Sequence, residues 1–413
     1  MTFEPNRLRW VRLTFVDVFG TINSMMLPAS RLDDALEKGI VFDGSALEGQ
    51  ARHFESNMRL WPDRETLHDL GNGFGRVVCD VRTPAGAAWP GDPRTALKLV
   101  VDQANTVAAE ITYSAELEFY LLDRTGEPVD QGGYFDTVTG PGPEVVTLTG
   151  DLLHERGVEV MSCHHEAGPG QYELDIAPLP PLALADAIVL AKETIRDLSY
   201  RSDLRVTFMP LPFGERPGSG LHLHQRAPEL LKDDGQLTAA GHGFVAGQLD
   251  HAAGLCALAA PTVNSYRRLH AGPEAPSAAI WSHASRGALV RVTTDLAQEA
   301  SIEFRGADPT SNPYLLVAGL IACGIAGIDD ELDPGPPTDE SVGGFDPTTT
   351  TQRLVVLPRS LDEALDALQA DDVLVDTFDS VLLSRLVDGR RVEAEDFRAT
   401  VSAWERDRYS SDA

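Results

Sequence analysis

A chain of 413 residues is longer than one hydrophobic core normally serves, so about two or three domains are expected. Its 63 acidic residues against 34 lysines and arginines give a formal net charge of −29. That balance excludes the Lys/Arg clusters that bind nucleic acid or an anionic membrane surface. The four cysteines, Cys79, Cys163, Cys256 and Cys323, show no CxxC spacing. A reducing cytoplasm is the expected compartment, and Met1–Trp10 lacks the apolar core and cleavage site of a signal peptide.

In chain order, Val11–Val18 alternates as a strand, Ala29–Glu37 has helical spacing, and Val77–Val81 alternates again, so the first part is a small α+β unit. The Pro/Gly-rich stretch Thr83–Pro93 closes it, and Asp92-Pro93 has the form of an N-cap followed by proline at the first helical position. The expected division is 1–88 and 89–413. Arg94–Ala109 and Leu182–Tyr200 carry helical spacing, Gly132–Gly150 reads as a long loop, and Leu237–Ala260 as one helix of small residues. Tyr314–Ile328 is apolar but shorter than the ~20 residues that span a bilayer, so a buried helix is expected. Asp333–Thr351 is an acidic low-complexity loop, and Ser360–Trp404 a set of short helices.

Four segments of the larger part share one property. Side chains alternate along a strand, so Ala115–Leu121 puts Glu116 and Glu118 on one face and Leu117, Phe119 and Leu121 on the other. By the same rule Tyr172–Ile176 gathers Glu173 and Asp175, Gly220–His224 gathers His222 and His224, and Ile302–Arg305 gathers Glu303 and Arg305. One such strand is ordinary; four imply a sheet whose polar side is a charged cavity able to hold a cation. The polar stretch Cys163–Gly170 is expected as a loop feeding the second of these strands.

An ordered series of motifs accompanies these strands. It comprises Phe42-Asp43-Gly44-Ser45, Glu116-Leu117-Glu118, His164-His165-Glu166 through Gln171-Tyr172-Glu173, and Gly218-Ser219-Gly220-Leu221-His222-Leu223-His224. Asn264 through Leu269, Pro273-Glu274-Ala275-Pro276, Ile302-Glu303-Phe304-Arg305 and Asp308 through Tyr314 complete it. In this series the chain resembles glutamine synthetase and its relatives, the γ-glutamyl-amine ligases, over nearly its whole length. The resemblance implies an N-terminal β-grasp domain and a C-terminal catalytic domain whose curved antiparallel sheet, flanked by helices, forms a half-barrel. It further implies a homo-oligomer of stacked hexameric rings, a dodecamer, in which one subunit's N-terminal domain completes its neighbour's active site.

The implied activity is ATP-dependent ligation: γ-glutamyl phosphate forms from glutamate and ATP, and its acyl group passes to ammonia or a primary amine. By resemblance, Glu118, Glu166 and Glu173 bind one divalent ion and Glu116, His222 and Glu303 a second, with oxygen-rich ligands favouring Mg²⁺ or Mn²⁺. Asp43, Glu274 and Arg305 are the implied catalytic residues. Tyr134, Glu166, Gly218 and Arg268 line the substrates, and His224, Arg286 and Arg291 contact nucleotide or phosphate.

Several positions depart from the family pattern. Pro217 stands where an asparagine precedes Gly-Ser-Gly; Ser301, Ser285 and Met161 replace an arginine, an asparagine and an acid near the nucleotide; Ala46 replaces a serine in the acceptor pocket. Two alternatives follow: a γ-glutamyl-polyamine or alkylamine ligase that does not use ammonia, and a non-catalytic nucleotide-binding relative.

Overall fold

The computed structural model describes residues 8–47, 57–104, 110–270, 272, 274–293, 300–338 and 355–410. The Ala46 side chain, the end of the helix expected over Arg94–Ala109, and most of the Asp333–Thr351 loop lie outside the described residues.

Alternating apolar residues build the N-terminal sheet from β1 (Trp10–Val16), β2 (Ile22–Pro28), β3 (Ile40–Asp43), β4 (Asn57–Pro62), β5 (His68–Gly71) and β6 (Phe74–Arg82). The strand order is β2-β1-β6-β4-β3 with β5 on β6, and β1 runs parallel to β6 while the other pairs are antiparallel. Helix α1 (Leu32–Lys38) buries Leu32 and Ala35 in this domain's own core, with Val11, Leu13, Leu60 and Val77. The strands at Val11 and Val77 and the short helix agree with the sequence; β2 to β5 were not foreseen.

A second sheet of eight strands carries the larger part: β7 (Thr112–Leu122), β8 (Val160–His165), β9 (Gln171–Leu179), β10 (Arg205–Thr207), β11 (Leu221–Arg226), β12 (Trp281–Ser282), β13 (Val290–Thr293) and β14 (Ser301–Phe304). Its order is β12-β13-β14-β11-β7-β9-β8, with β10 on β7, and every pair except β12–β13 is antiparallel. The four polar-faced strands are therefore consecutive neighbours. His164 and His165 lie in β8 rather than in a loop, because they pair with Glu173 and Tyr172 of β9.

The apolar face of this sheet packs on α2 (Pro93–Ala104), α3 (Pro141–Glu155), α4 (Pro181–Arg201), α5 (Ala239–Asp250), α6 (Ala252–Ala259), α7 (Ser265–Leu269) and α8 (Pro313–Asp329) in one large core. As the sequence suggested, α2 starts from an Asp92 cap, whose carboxylate accepts from the Thr95 amide at 3.1 Å and hydroxyl at 2.7 Å. Helix α8 is buried, as its apolar run implied. It meets α5 backbone to backbone: a Cβ on Gly247 would sit 2.0 Å from the Cys323 carbonyl, and one on Gly327 would sit 2.2 Å from that of Gly243. That close approach is what the small residues of α5 permit.

Three expectations fail here. Gly132–Gly150 is not all loop, since α3 begins at Pro141 and buries Val145, Val146, Thr149 and Leu153. The single helix of 237–260 is two, α5 and α6, meeting at His251. The tail contains α9 (Leu361–Ala370), α10 (Asp372–Thr377), α11 (Ser380–Ala399) and α12 (Ala403–Tyr409), of which α11, at 20 residues, is not short.

The two domains are joined by ions as well as apolar contacts. Arg94 on α2 is buried and reaches Asp80 at 2.7 Å and Asp63 at 2.8 Å in the first domain, and Asp186 of α4 at 2.8 Å. Charges taken out of water need such partners. Arg76 of β6 meets Glu193 of α4 at 2.6 Å, and Asn312 caps α8 while donating to the Asp17 carbonyl. Among the described residues no helix is long and apolar enough to cross a membrane.

Candidate active site

Register decides what the polar faces do together. Glu116 of β7 lies opposite His222 of β11 and Asp175 of β9; Glu118 lies opposite Glu173; His224 lies opposite Glu303 of β14. Facing residues of an antiparallel pair hold their Cβ atoms about 5 Å apart, so the side chains of four strands meet. Beneath them Leu117, Phe119, Leu174, Leu221, Leu223, Ile302 and Phe304 are all buried, which holds the face rigid.

His222 Nδ1 is 2.7 Å from one Glu116 oxygen and His224 Nε2 is 2.9 Å from the other. Glu303 is completely buried and paired with both Arg291, at 2.6 Å, and Arg305. One ligand atom from each of Glu116, His222 and Glu303 falls within 4.8 Å of the others, as the second ion site requires. The three residues of the other expected site are less tightly grouped. Glu118 accepts from the Gln171 amide at 3.1 Å and the Gly220 N–H at 2.9 Å, and Glu166 from the Ala167 N–H at 2.9 Å. Glu173 lies with Asp175 and with His164, 3.1 Å from its Nε2, in a second group whose ligand atoms fall within 4.8 Å. Sequence reasoning had Asp175 on the correct face but assigned no role to it or to His164.

The electrostatics of this face fit a cation. Burial, and then the charges of Glu116 and Glu118, push Glu173 up to about 12. Burial and the Glu118 charge likewise push Glu166 up to about 7. Burial opposes ionisation of Glu116 too, but hydrogen bonds from His222 and His224 hold it well below the usual range. Burial and the nearby Arg305 lower His222 to about 4, leaving the neutral imidazole that can offer a lone pair. Crowded carboxylates that resist ionisation, beside a neutral imidazole, are a donor set that a divalent ion would relieve.

Alongside is a cavity of about 460 Å³ lined by Glu118, Glu166, Gly218, Arg268, Glu274 and Arg305, among others. A glycine stands at 220, beside the cavity's His222 and Arg268, because a Cβ there would lie 2.6 Å from His222 Nε2 and 2.7 Å from Arg268 Nη2. Arg268 is buried and anchored to the Ala307 carbonyl at 2.9 Å. The exposed Glu274 is 4.0 Å from Arg286, whose guanidinium stands 5.9 Å from the Tyr134 ring centroid. Asp43 is exposed, accepts from the Ser45 amide and hydroxyl, and does not line this cavity of its own chain. Ser301 bonds to His224 Nδ1 at 2.9 Å and to the Thr293 hydroxyl at 2.9 Å.

Comparison with known proteins agrees with this geometry. Residues 7–84 match the model of the glutamine synthetase β-grasp domain, and residues 90–409 that of the glutamine synthetase catalytic domain. The chain belongs to the glutamine synthetase family.

The glutamine synthetase of Halobacterium salinarum is 36% identical over 433 aligned positions, covering 98% of this chain and 94% of the relative. That of Thermus thermophilus is 34% identical, covering 98% and 96%. Among solved structures, a GmaS/ADP complex superposes with a TM-score of 0.89 at 25% identity, covering all of both chains. A Plasmodium falciparum glutamine synthetase superposes with a TM-score of 0.88 at 21% identity, covering 99% of this chain and 97% of that one. The first sheet is thus the family's β-grasp domain and the second its half-barrel.

Proposed function

We propose that the chain activates the γ-carboxylate of glutamate, or of a close analogue, with ATP and joins it to ammonia or a primary amine. The observation that supports this best is the alignment of Glu116, Glu118, Glu173, His222 and Glu303 across four adjacent strands. Divalent ions, Mg²⁺ or Mn²⁺, held by Glu118, Glu166 and Glu173 and by Glu116, His222 and Glu303, would neutralise phosphate oxygens as charge builds on them.

The chain's own groups do the rest. Arg268 holds the α-carboxylate of the acid in the cavity it shares with Gly218. The γ-carboxylate oxygen attacks the terminal phosphorus of ATP, ADP leaves, and Arg305 stabilises the transferring group. His224, Arg286 and Arg291 hold the nucleotide side. The amine nitrogen then attacks the acyl carbon, phosphate departs, and the amine's surplus proton passes to Glu274 or to Asp43 of a neighbouring subunit. Asp43 being exposed and away from its own cavity supports an oligomer in which it serves the next site.

The similarity to the glutamine synthetases of Halobacterium salinarum and Thermus thermophilus supports glutamate and ammonia. Pro217 in the substrate loop, in place of asparagine, supports an amine acceptor or a modified acid. The test is phosphate release and amide formation by the purified chain with ATP, Mn²⁺ and a panel of acids and amines. Release that needs both an acid and an amine establishes the ligase. Ammonium giving the highest kcat/KM removes the amine reading. Nucleotide binding without release in any mixture would mark a non-catalytic relative.

A further inference from the structure

A second charged cleft lies between β1, the β5–β6 turn and helices α3 and α4, in the seam of the two domains. Two adjoining cavities, of about 310 and 400 Å³, share Arg76, Arg156 and Leu190 in their walls. In a chain of net charge −29, the first is lined by four arginines, Arg12, Arg76, Arg156 and Arg201, against two carboxylates, Glu193 and Asp197. None of these residues lines the catalytic cavity.

Arg76 is the decisive group. It is only 1% exposed, yet it spends Nε on Glu193 at 2.6 Å and, among the described residues, Nη2 has no hydrogen-bond partner. Glu193 cannot satisfy it fully because it is shared with Arg12, at 3.5 Å, which also faces Asp197 at 3.8 Å. Among the described residues, the half-buried Arg156 at the end of α3 hydrogen-bonds to the Thr194 hydroxyl alone, at 3.0 Å. In the second cavity Arg94 is taken up by Asp63, Asp80 and Asp186, so it does not compete. His68, opposite Arg76 on β5, is held down to about 4, chiefly by burial, with Arg76 and Arg156 adding to it. A buried guanidinium with an unused donor is costly, and its planar fork matches the oxygens of a carboxylate or phosphate.

We propose that this cleft binds a small oxyanion, a carboxylate or a phosphate group, between Arg76 and Arg156. The bound ion bridges β6 of the first domain to α3 and α4 of the second, so it raises the stability of the seam.

The test uses the full chain, free of divalent ions, in a phosphate-free zwitterionic buffer, titrated with inorganic phosphate or with succinate by calorimetry and thermal unfolding. One saturable event accompanied by a rise in Tm is expected; phosphate alone producing it names a phosphoryl ligand, and succinate alone an organic acid. Arg156→Gln, at a half-buried position, is expected to weaken that event at least about tenfold, as loss of a charge-assisted hydrogen bond does. Glu193→Gln removes the competing carboxylate and is expected to tighten it, a direction that general loosening of the seam would not produce. No saturable event with either anion up to about 10 mM, in the millimolar range of weak binding, overturns the proposal. So does an event of equal affinity in wild type and Arg156→Gln, which would belong to the catalytic cavity.

Discussion

The hydroxyl of Tyr120 donates a 2.7 Å hydrogen bond to the carbonyl of Pro217. It thereby ties the strand bearing Glu116 and Glu118 to the loop that leads into Gly218. Any residue at 217 offers a carbonyl, so the bond survives a change of side chain there. Tyr120→Phe removes about 1 kcal/mol of net hydrogen bonding and frees the loop. KM for the acid is expected to rise roughly fivefold with kcat nearly unchanged, since an interaction of this kind acts on ground and transition states alike. Pro217→Asn keeps the bond and adds a carboxamide at the cavity edge, so it should shift kcat/KM toward glutamate over its analogues. Steady-state kinetics on both variants check this; an unchanged acid preference in Pro217→Asn would detach the loop from acid choice.

Glu303 is enclosed by Arg291 and Arg305 and lies beside His222 and Glu116. Glu303→Gln keeps the shape and removes the charge. Mn²⁺ titration followed by electron paramagnetic resonance is expected to count two tight ions per chain in wild type and one in the variant, whose lost site weakens by more than about tenfold. Chelation should lower Tm, since an ion held at a hundred times its Kd stabilises by about 2.7 kcal/mol. Equal counts in the two proteins would remove Glu303 from the ligand set.

The polar face was legible because alternation is a local property: Glu116 and Glu118, or His222 and His224, share a side of any strand that contains them. That these strands share one sheet follows from their common polar face, but their order, β14-β11-β7-β9, and their register were not legible, because they join segments nearly two hundred residues apart. The same limit hid the pairing of His164 with Glu173, which needs β8 beside β9. Helix α3 was missed for another reason. Gly140-Pro141-Gly142-Pro143 looks like a string of breakers, yet Pro141 and Pro143 occupy the first turn, where no intrahelical N–H is needed. Gly142 lies there because a Cβ would fall 2.4 Å from the Tyr172 hydroxyl. Strand β5 escaped because a segment as short as His68–Gly71 carries too few apolar residues for a pattern.

If Asp43 serves a neighbour's site, two inactive variants should repair each other. Asp43→Asn carries a sound metal face and Glu303→Gln a sound Asp43. Refolded together at equal concentration, they place an intact Asp43 against an intact metal face at about one site in four by random assembly of a closed ring. Activity near one quarter of wild type is the expected result. Mixing that restores nothing, while light scattering shows mixed oligomers, would confine Asp43 to its own chain.

Asp92 caps α2 from a fully buried position, and burial, then the neighbouring Asp80 charge, raise it from its ordinary 3.8 to about 7. Between those values the folded chain holds a proton that the unfolded chain has released. Stability therefore falls as pH rises from about 4 to about 7 and is unaffected by this group above that, with a slope of at most about 1.4 kcal/mol per pH unit. Asp92→Asn retains an oxygen to accept from the Thr95 amide and hydroxyl but carries no charge. Relative to wild type, it should gain stability steadily from pH 5 to pH 7 and hold that gain at pH 8. Taking the difference between the two proteins cancels the titration of the chain's other carboxylates except Asp80, whose charge interacts with that of Asp92. Tm measured at one protein concentration across this range checks the sign. Parallel profiles would mean that the Asp92 carboxylate is ionised throughout, stabilised by the capping hydrogen bonds more than burial opposes it.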